Sequence, residues 1–106
     1  MKFDNGENLS IIIAYFLKVN ERLDILKRVI INLRKYFTKS EIIILFDKFG
    51  VDNMDNVDKC ITHNNGLGYS FNYGCQIAKN DFILQTEDDW LIKEFLKNDT
   101  INEILN

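Results

Sequence analysis

The sequence predicts an α/β fold built on a small, mostly parallel sheet. Three observations carry that expectation. Two continuous apolar runs, LSIIIAYF over Leu9–Phe16 and EIIILF over Glu41–Phe46, are short and rich in β-branched residues, as strands buried on both faces are. Between them the apolar spacing changes to threes and fours, the period of a helix. Strand, helix, strand is the βαβ unit, with parallel strands and a right-handed crossover.

Residues Met1–Asn8 form a polar leader, and Leu9–Phe16 is the first strand. Asn20 is placed to cap the helix that follows. From Glu21 to Phe37, Leu23, Leu26, Ile30, Leu33 and Phe37 share one face, with Arg22, Lys27, Arg28, Arg34 and Lys35 on the other. Glu41–Phe46 is the second strand. Asp47–Asp58 is polar and carries Gly50, Asn53 and Asn56, so it reads as a loop. Lys59–Thr62 suits a short third strand. HNNGLG over His63–Gly68 is a turn, which makes His63 a solvated loop residue.

Ser70–Lys79 is a short helix with Phe71, Cys75, Ile77 and Ala78 turned inward and Asn80 as its stop. Asp81–Thr86 is the fourth strand. It runs into Glu87-Asp88-Asp89-Trp90, and Leu91–Asn106 is a helical tail through Phe95, Ile101, Ile104 and Leu105. The expected sheet order is third, second, first, fourth, within a single domain spanning residues 1–106. The second strand lies beside the first, and the second helix carries the chain back across to the other side.

Composition narrows the function. Of 106 residues, 46% are hydrophobic and 27% charged, the balance of a globular domain. Lys and Arg total 13 against 16 Asp and Glu, a net charge of −3, and no basic run stands out. Electrostatic capture of nucleic acid or an anionic membrane is therefore disfavoured. No apolar run approaches the ~20 residues of a membrane span. The leader lacks the features of a secretory signal. Cys60 and Cys75 form no CxxC, and His63 is the only histidine, which points away from zinc and disulfides and toward a reduced cytoplasmic setting.

Ligands of open α/β sheets bind beyond the carboxyl ends of the strands, where the strand order reverses. No glycine follows the first strand, so neither a dinucleotide fingerprint nor a Walker loop is present. Phosphates would need another partner, and Glu87-Asp88-Asp89 offers one. Three successive carboxylates repel one another unless they are solvated or a hard cation sits among them. Asp47, ending the second strand, either reaches the same crevice or starts an Asx turn. Phe16 either stacks on a base or belongs to the core. Trp90 is either an anchor for the tail or a lid.

The order LSIIIAYF, helix, EIIILFD, then NNGLGYSFNYGCQIAKNDFILQTEDDW resembles the donor half of the inverting family 2 glycosyltransferases, which have the Rossmann-like GT-A fold. The likeness spans Leu9 to Trp90 and rests on four motifs in order. It implies that Asp47 contacts the base of a nucleotide diphosphate sugar and that Phe16 flanks the base, with Ala14 and Tyr15 beside it. Glu87, Asp88 and Asp89 match the DxD motif that holds the ribose and a Mn2+ or Mg2+ ion, with Asp89 and Asp88 as metal ligands. Asn72 and Gly74 match the Asn-x-Gly of the helix before that motif.

The chain departs from the family pattern at several points. Ala14, Leu17 and Lys18 stand where Pro, Asn and Arg are frequent, Phe46 replaces an aspartate, Phe71 replaces a basic residue, and Glu87 replaces the first DxD aspartate. The family's second half binds the acceptor and supplies the catalytic base, and it would follow Trp90. The expectation is therefore a truncated piece of a longer enzyme, a minimal donor half that needs a homodimeric mate or partner chain, or a binding module that acts through a partner without transferring sugar. A flavodoxin-like interaction domain with a merely solvated acidic triplet is the third reading.

Overall fold

The structure is a computed structural model and describes residues 7–15 and 23–87. Its elements are β1 (Leu9–Tyr15), α1 (Leu23–Tyr36), β2 (Glu41–Asp47), β3 (Lys59–His63), α2 (Leu67–Ile77) and β4 (Phe82–Glu87). The four strands form one sheet in the order β3-β2-β1-β4, and every pairing is parallel. The sequence-based order is thus observed. Phe16, Asn20, Asp88, Asp89, Trp90 and the 91–106 tail lie outside the described residues.

β1 and β2 occupy the middle of the sheet, and every residue of both is buried. Their side chains alternate between two cores. Ile11, Ile13 and Tyr15 join Ile42, Ile44 and Phe46 on one face, where Leu26, Val29, Ile30 and Leu33 of α1 and Phe37 beyond it cover them. Ile12, Ile43 and Leu45 point to the other face and meet Phe71, Tyr73 and Ile77 of α2. The chain moves one way from β1 through β2 to β3 and then reverses to reach β4. Right-handed crossovers in opposite directions put their helices on opposite faces, which explains the two separate cores.

Two helix details differ from the periodicity. Arg34, assigned to the solvated face of α1, bonds the carbonyls of Asn56 and Ser40 and, at 3.0 Å, Asp58 Oδ2. It ties α1 to the 48–58 segment, whose Val51, Met54 and Val57 pack on the same core. In α2 the inward line is Ser70 and Gly74 rather than Cys75. A Cβ at Gly74 would come within 2.5 Å of Ile12 Cγ2 and 3.1 Å of Leu45 Cδ1, so glycine is what allows the helix to lie on the sheet. Among the described residues no helix is long and apolar enough to cross a membrane.

Candidate functional site

The carboxyl ends of the strands are Tyr15, Asp47, His63 and Glu87. Their registers pair Tyr15 with Phe46, Asp47 with His63 and Ala14 with Glu87. The strand order reverses between β1 and β4, so the Ala14–Glu87 pair marks the switch point of the sheet. Glu87 is the first residue of the acidic triplet. Two of the expected site residues, Ala14 and Glu87, therefore meet there, and Phe16, Asp88 and Asp89 lie outside the described residues.

The other expected site residues are placed less simply. Ala14 and Tyr15 are each 3% exposed. The period of two along β1 sends Tyr15 to the α1 face, where its ring packs edge-on against Phe46 with centroids 5.3 Å apart. Its side chain is committed to that core. Asn72 is exposed on α2, whereas Gly74, two residues on and about 200° around the helix, faces the sheet. The two halves of the Asn-x-Gly match thus point in opposite directions.

Asp47 is buried, and its Oδ1 accepts a long bond from the Gly66 N–H at 3.5 Å. Gly66 is the N-cap of α2, with φ of 87° and no side chain of its own to cap the helix. A carboxylate at that place offsets the positive end of the helix dipole. Asp47 therefore serves the start of α2 as well as the end of β2.

His63 was expected in a solvated turn, but it belongs to β3 and its side chain is only 6% exposed. Pairing with Asp47 extends the strand by one residue. Nδ1 accepts the Asn65 N–H at 3.1 Å, which leaves Nε2 to donate to Ser70 Oγ at 2.6 Å. Asp47 Oδ1 lies 3.9 Å from Nδ1, beyond hydrogen-bond reach. Aspartate, histidine and serine in this order resemble a nucleophilic triad, and the geometry excludes one. Nδ1 is an acceptor where a triad needs a donor to the carboxylate. Ser70 is 1% exposed, so no substrate reaches its oxygen. The arrangement instead locks the β3–α2 turn. The seven-residue spacing of His63 and Ser70 was the only sequence trace of it.

Cys60 and Cys75 are free thiols; burial pushes the Cys60 thiol above its ordinary range, and Cys75 Sγ accepts from Gln85 Nε2 at 3.0 Å. Among the described residues no three His, Cys, Asp or Glu side chains are grouped to hold a metal ion. A cavity of about 430 Å³ opens between α1 and the 48–58 segment, lined by Leu23, Lys27, Ile30, Val51 and Met54 among others. It contains none of the expected site residues. Comparison with protein-family models, curated proteins and solved structures found no match to the chain.

Proposed function

We propose that the chain is the donor-binding half of a metal-dependent, inverting glycosyltransferase, taking a nucleotide diphosphate sugar at the carboxyl ends of β1 and β4. One observation carries the reading: the order reversal that sets Glu87, first of three successive acids, beside Ala14. Ligand crevices in parallel sheets open at that point. Carboxylate oxygens are the donor set that Mg2+ and Mn2+ prefer, and Asp89 and Asp88 are the residues to hold the ion, with Glu87 toward the ribose. Phe16 flanks the base, and the buried end of β1 at Ala14 and Tyr15 forms the floor. The ion, when bound, offsets the charge that develops on the departing diphosphate.

A second reading is a module that binds the sugar nucleotide and acts through a partner without transfer. The state of Asp47 and His63 favours it. These described acid–base groups at the strand ends are buried and engaged with the start of α2. A general base must reach the acceptor hydroxyl, so in the transferase reading it comes from outside the described residues, Glu94, Asp99 and Glu103 included, or from a partner chain. Incubation with a panel of nucleotide diphosphate sugars and Mn2+ separates the readings. Release of free nucleoside diphosphate supports the transferase, and binding without release supports the module. A chain that binds no member of the panel is neither.

A further inference from the structure

We infer that the turn after β2, residues Lys48 to Gly50, is the platform for the base and first phosphate of a nucleotide; the inference rests on the donor reading proposed above and names contacts that reading lacks. The expected base contact at the end of β2 was Asp47. That side chain is 3% exposed and meets the Gly66 N–H, so it has no free face for a ligand. The groups that reach solvent at this edge are its neighbours. Phe49 is 57% exposed, and Lys48 is exposed beside it. Asn64, also exposed, follows His63, whose carbonyl accepts the Lys48 N–H.

The backbone of the turn is held in a costly shape. Lys48 has φ of 76°, in the left-handed region that a lysine enters only with strain. The bond from its N–H to His63 continues the β2–β3 ladder past the last strand pair. Gly50 lies so close to Phe46 that a Cβ there would stand 2.4 Å from Phe46 Cγ. Fixed at both ends, the turn leaves a phenyl side chain in water and the Lys48 ammonium without an ion-pair partner among the described residues. A turn that only connected two elements would be better served by glycine at 48 and a polar residue at 49. Strain of this kind concentrates where a ligand is held.

Each exposed group answers one part of a nucleotide. An aromatic face stacks on a base, an ammonium meets a phosphate as a point charge, and a side-chain amide pairs with the donors and acceptors of a base edge. The place fits as well. Ligands of parallel sheets bind beyond the carboxyl ends of the strands. Phe49 is two residues past the end of β2, at most about 7 Å along the chain. Only β1 separates β2 from β4, so the ends of those strands are about 10 Å apart. A base on Phe49 leaves the sugar diphosphate to cross the end of β1 toward Glu87, where the acidic triplet begins.

The test is an amide-resolved NMR titration of the isotopically labelled chain with the 5′-monophosphates of adenosine, guanosine, cytidine and uridine, without metal, and with ribose 5-phosphate in parallel. At least one nucleotide should shift the signals of Lys48, Phe49, Gly50 and Asn64, and ribose 5-phosphate should shift them far less. Phe49→Ala should weaken binding about tenfold, and Phe49→Trp should retain it. Lys48→Gly should also weaken binding, while its melting temperature stays the same or rises because glycine relieves the turn. Absence of shifts at Lys48–Gly50 with every nucleotide overturns the inference. Equal shifts with ribose 5-phosphate would reduce the turn to an anion contact and overturn it too, as would unchanged affinity in Phe49→Ala. A parallel titration with a nucleotide diphosphate sugar and Mn2+ reports on Ala14 and Glu87. Nucleotide shifts at Phe49 with none at Ala14 and Glu87 would sink the donor reading and leave the platform standing.

Discussion

Gly74 of α2 lies so close to Ile12 of β1 that a single added methyl would approach Ile12 Cγ2 to 2.5 Å. Alanine is the better helix former by about 0.5–1 kcal/mol, but forcing a methyl into a packed contact costs about 1–3 kcal/mol. Gly74→Ala should therefore lower stability by about 1–2 kcal/mol in urea unfolding. Ile12→Ala removes Cγ2 itself, at a cost of its own, so the double variant should lose less than the two single changes summed. Additive losses in the double variant would mean that the two residues are not in steric contact.

Glu41 joins four parts of the chain at the opposite edge of the sheet. Its Oε1 accepts from Ser10 Oγ at 2.8 Å and the Lys79 N–H at 2.9 Å, and Lys59 Nζ lies 3.4 Å from Oε2. Burial raises its carboxyl pKa, but the Lys79 and Ser10 hydrogen bonds and the Lys59 charge outweigh that, so the net value lies below the ordinary 4.5. A depressed carboxyl contributes stability that is fully present above 4.5 and is lost as pH falls through the folded-state value. Glu41→Gln should be less stable than the native chain by about 1–3 kcal/mol at pH 7. The gap should close as the medium is acidified below 4.5, and a gap constant with pH would contradict the assignment.

Arg34 fixes the 48–58 segment through Asn56 and Asp58 and the turn before β2 through Ser40, and Asp58 Oδ2 also accepts the Ile42 N–H at 2.7 Å. The three acceptors are met by three different guanidinium nitrogens, Nε, Nη1 and Nη2, a spread that a single ammonium nitrogen does not have. Arg34→Ala should cost about 2 kcal/mol, and Arg34→Lys should recover less than half of that in thermal unfolding. Full rescue by lysine would reduce the contact to a simple charge effect.

Ser70→Ala distinguishes a lock from a nucleophile. The change should lower stability by about 1 kcal/mol, because it leaves the His63 N–H without its acceptor. A fluorophosphonate probe should leave the native chain unlabelled. Stoichiometric labelling at Ser70 would show that the geometric exclusion of a triad is wrong.

What could be inferred from sequence was local or strongly patterned. The isoleucine runs of β1 and β2 announce strands buried on both faces, and the spacing from Leu26 to Phe37 announces the covering helix. Together they gave the pairing of β1 with β2, and the return of the chain through the second helix gave the place of β4. The weaker features were decided by distant residues. α2 starts at Leu67 rather than Ser70 because Gly66 turns at positive φ and a carboxylate from β2 meets its N–H. β3 reaches His63 because Asp47 is there to pair with it. The inward line of α2 runs through a glycine, which carries no hydrophobic signal at all. At the candidate site the sequence supplied the acids, while the pairing of Glu87 with Ala14 came from topology. Phe16, Asp88 and Asp89, on which the donor reading most depends, lie outside the described residues.

The most direct test of the central claim is thermal unfolding with nucleoside diphosphates, with and without Mn2+, for the native chain and for Asp89→Ala. A ligand that binds only the folded chain stabilises it by about 2.7 kcal/mol at a hundredfold excess over Kd. The native chain should be stabilised by at least one diphosphate only when Mn2+ is present. Asp89→Ala should show no such stabilisation, and its unliganded melting temperature should be unchanged or slightly higher because a repelling charge has been removed. Equal stabilisation of both chains, or a clear drop in the melting temperature of unliganded Asp89→Ala, would contradict that claim.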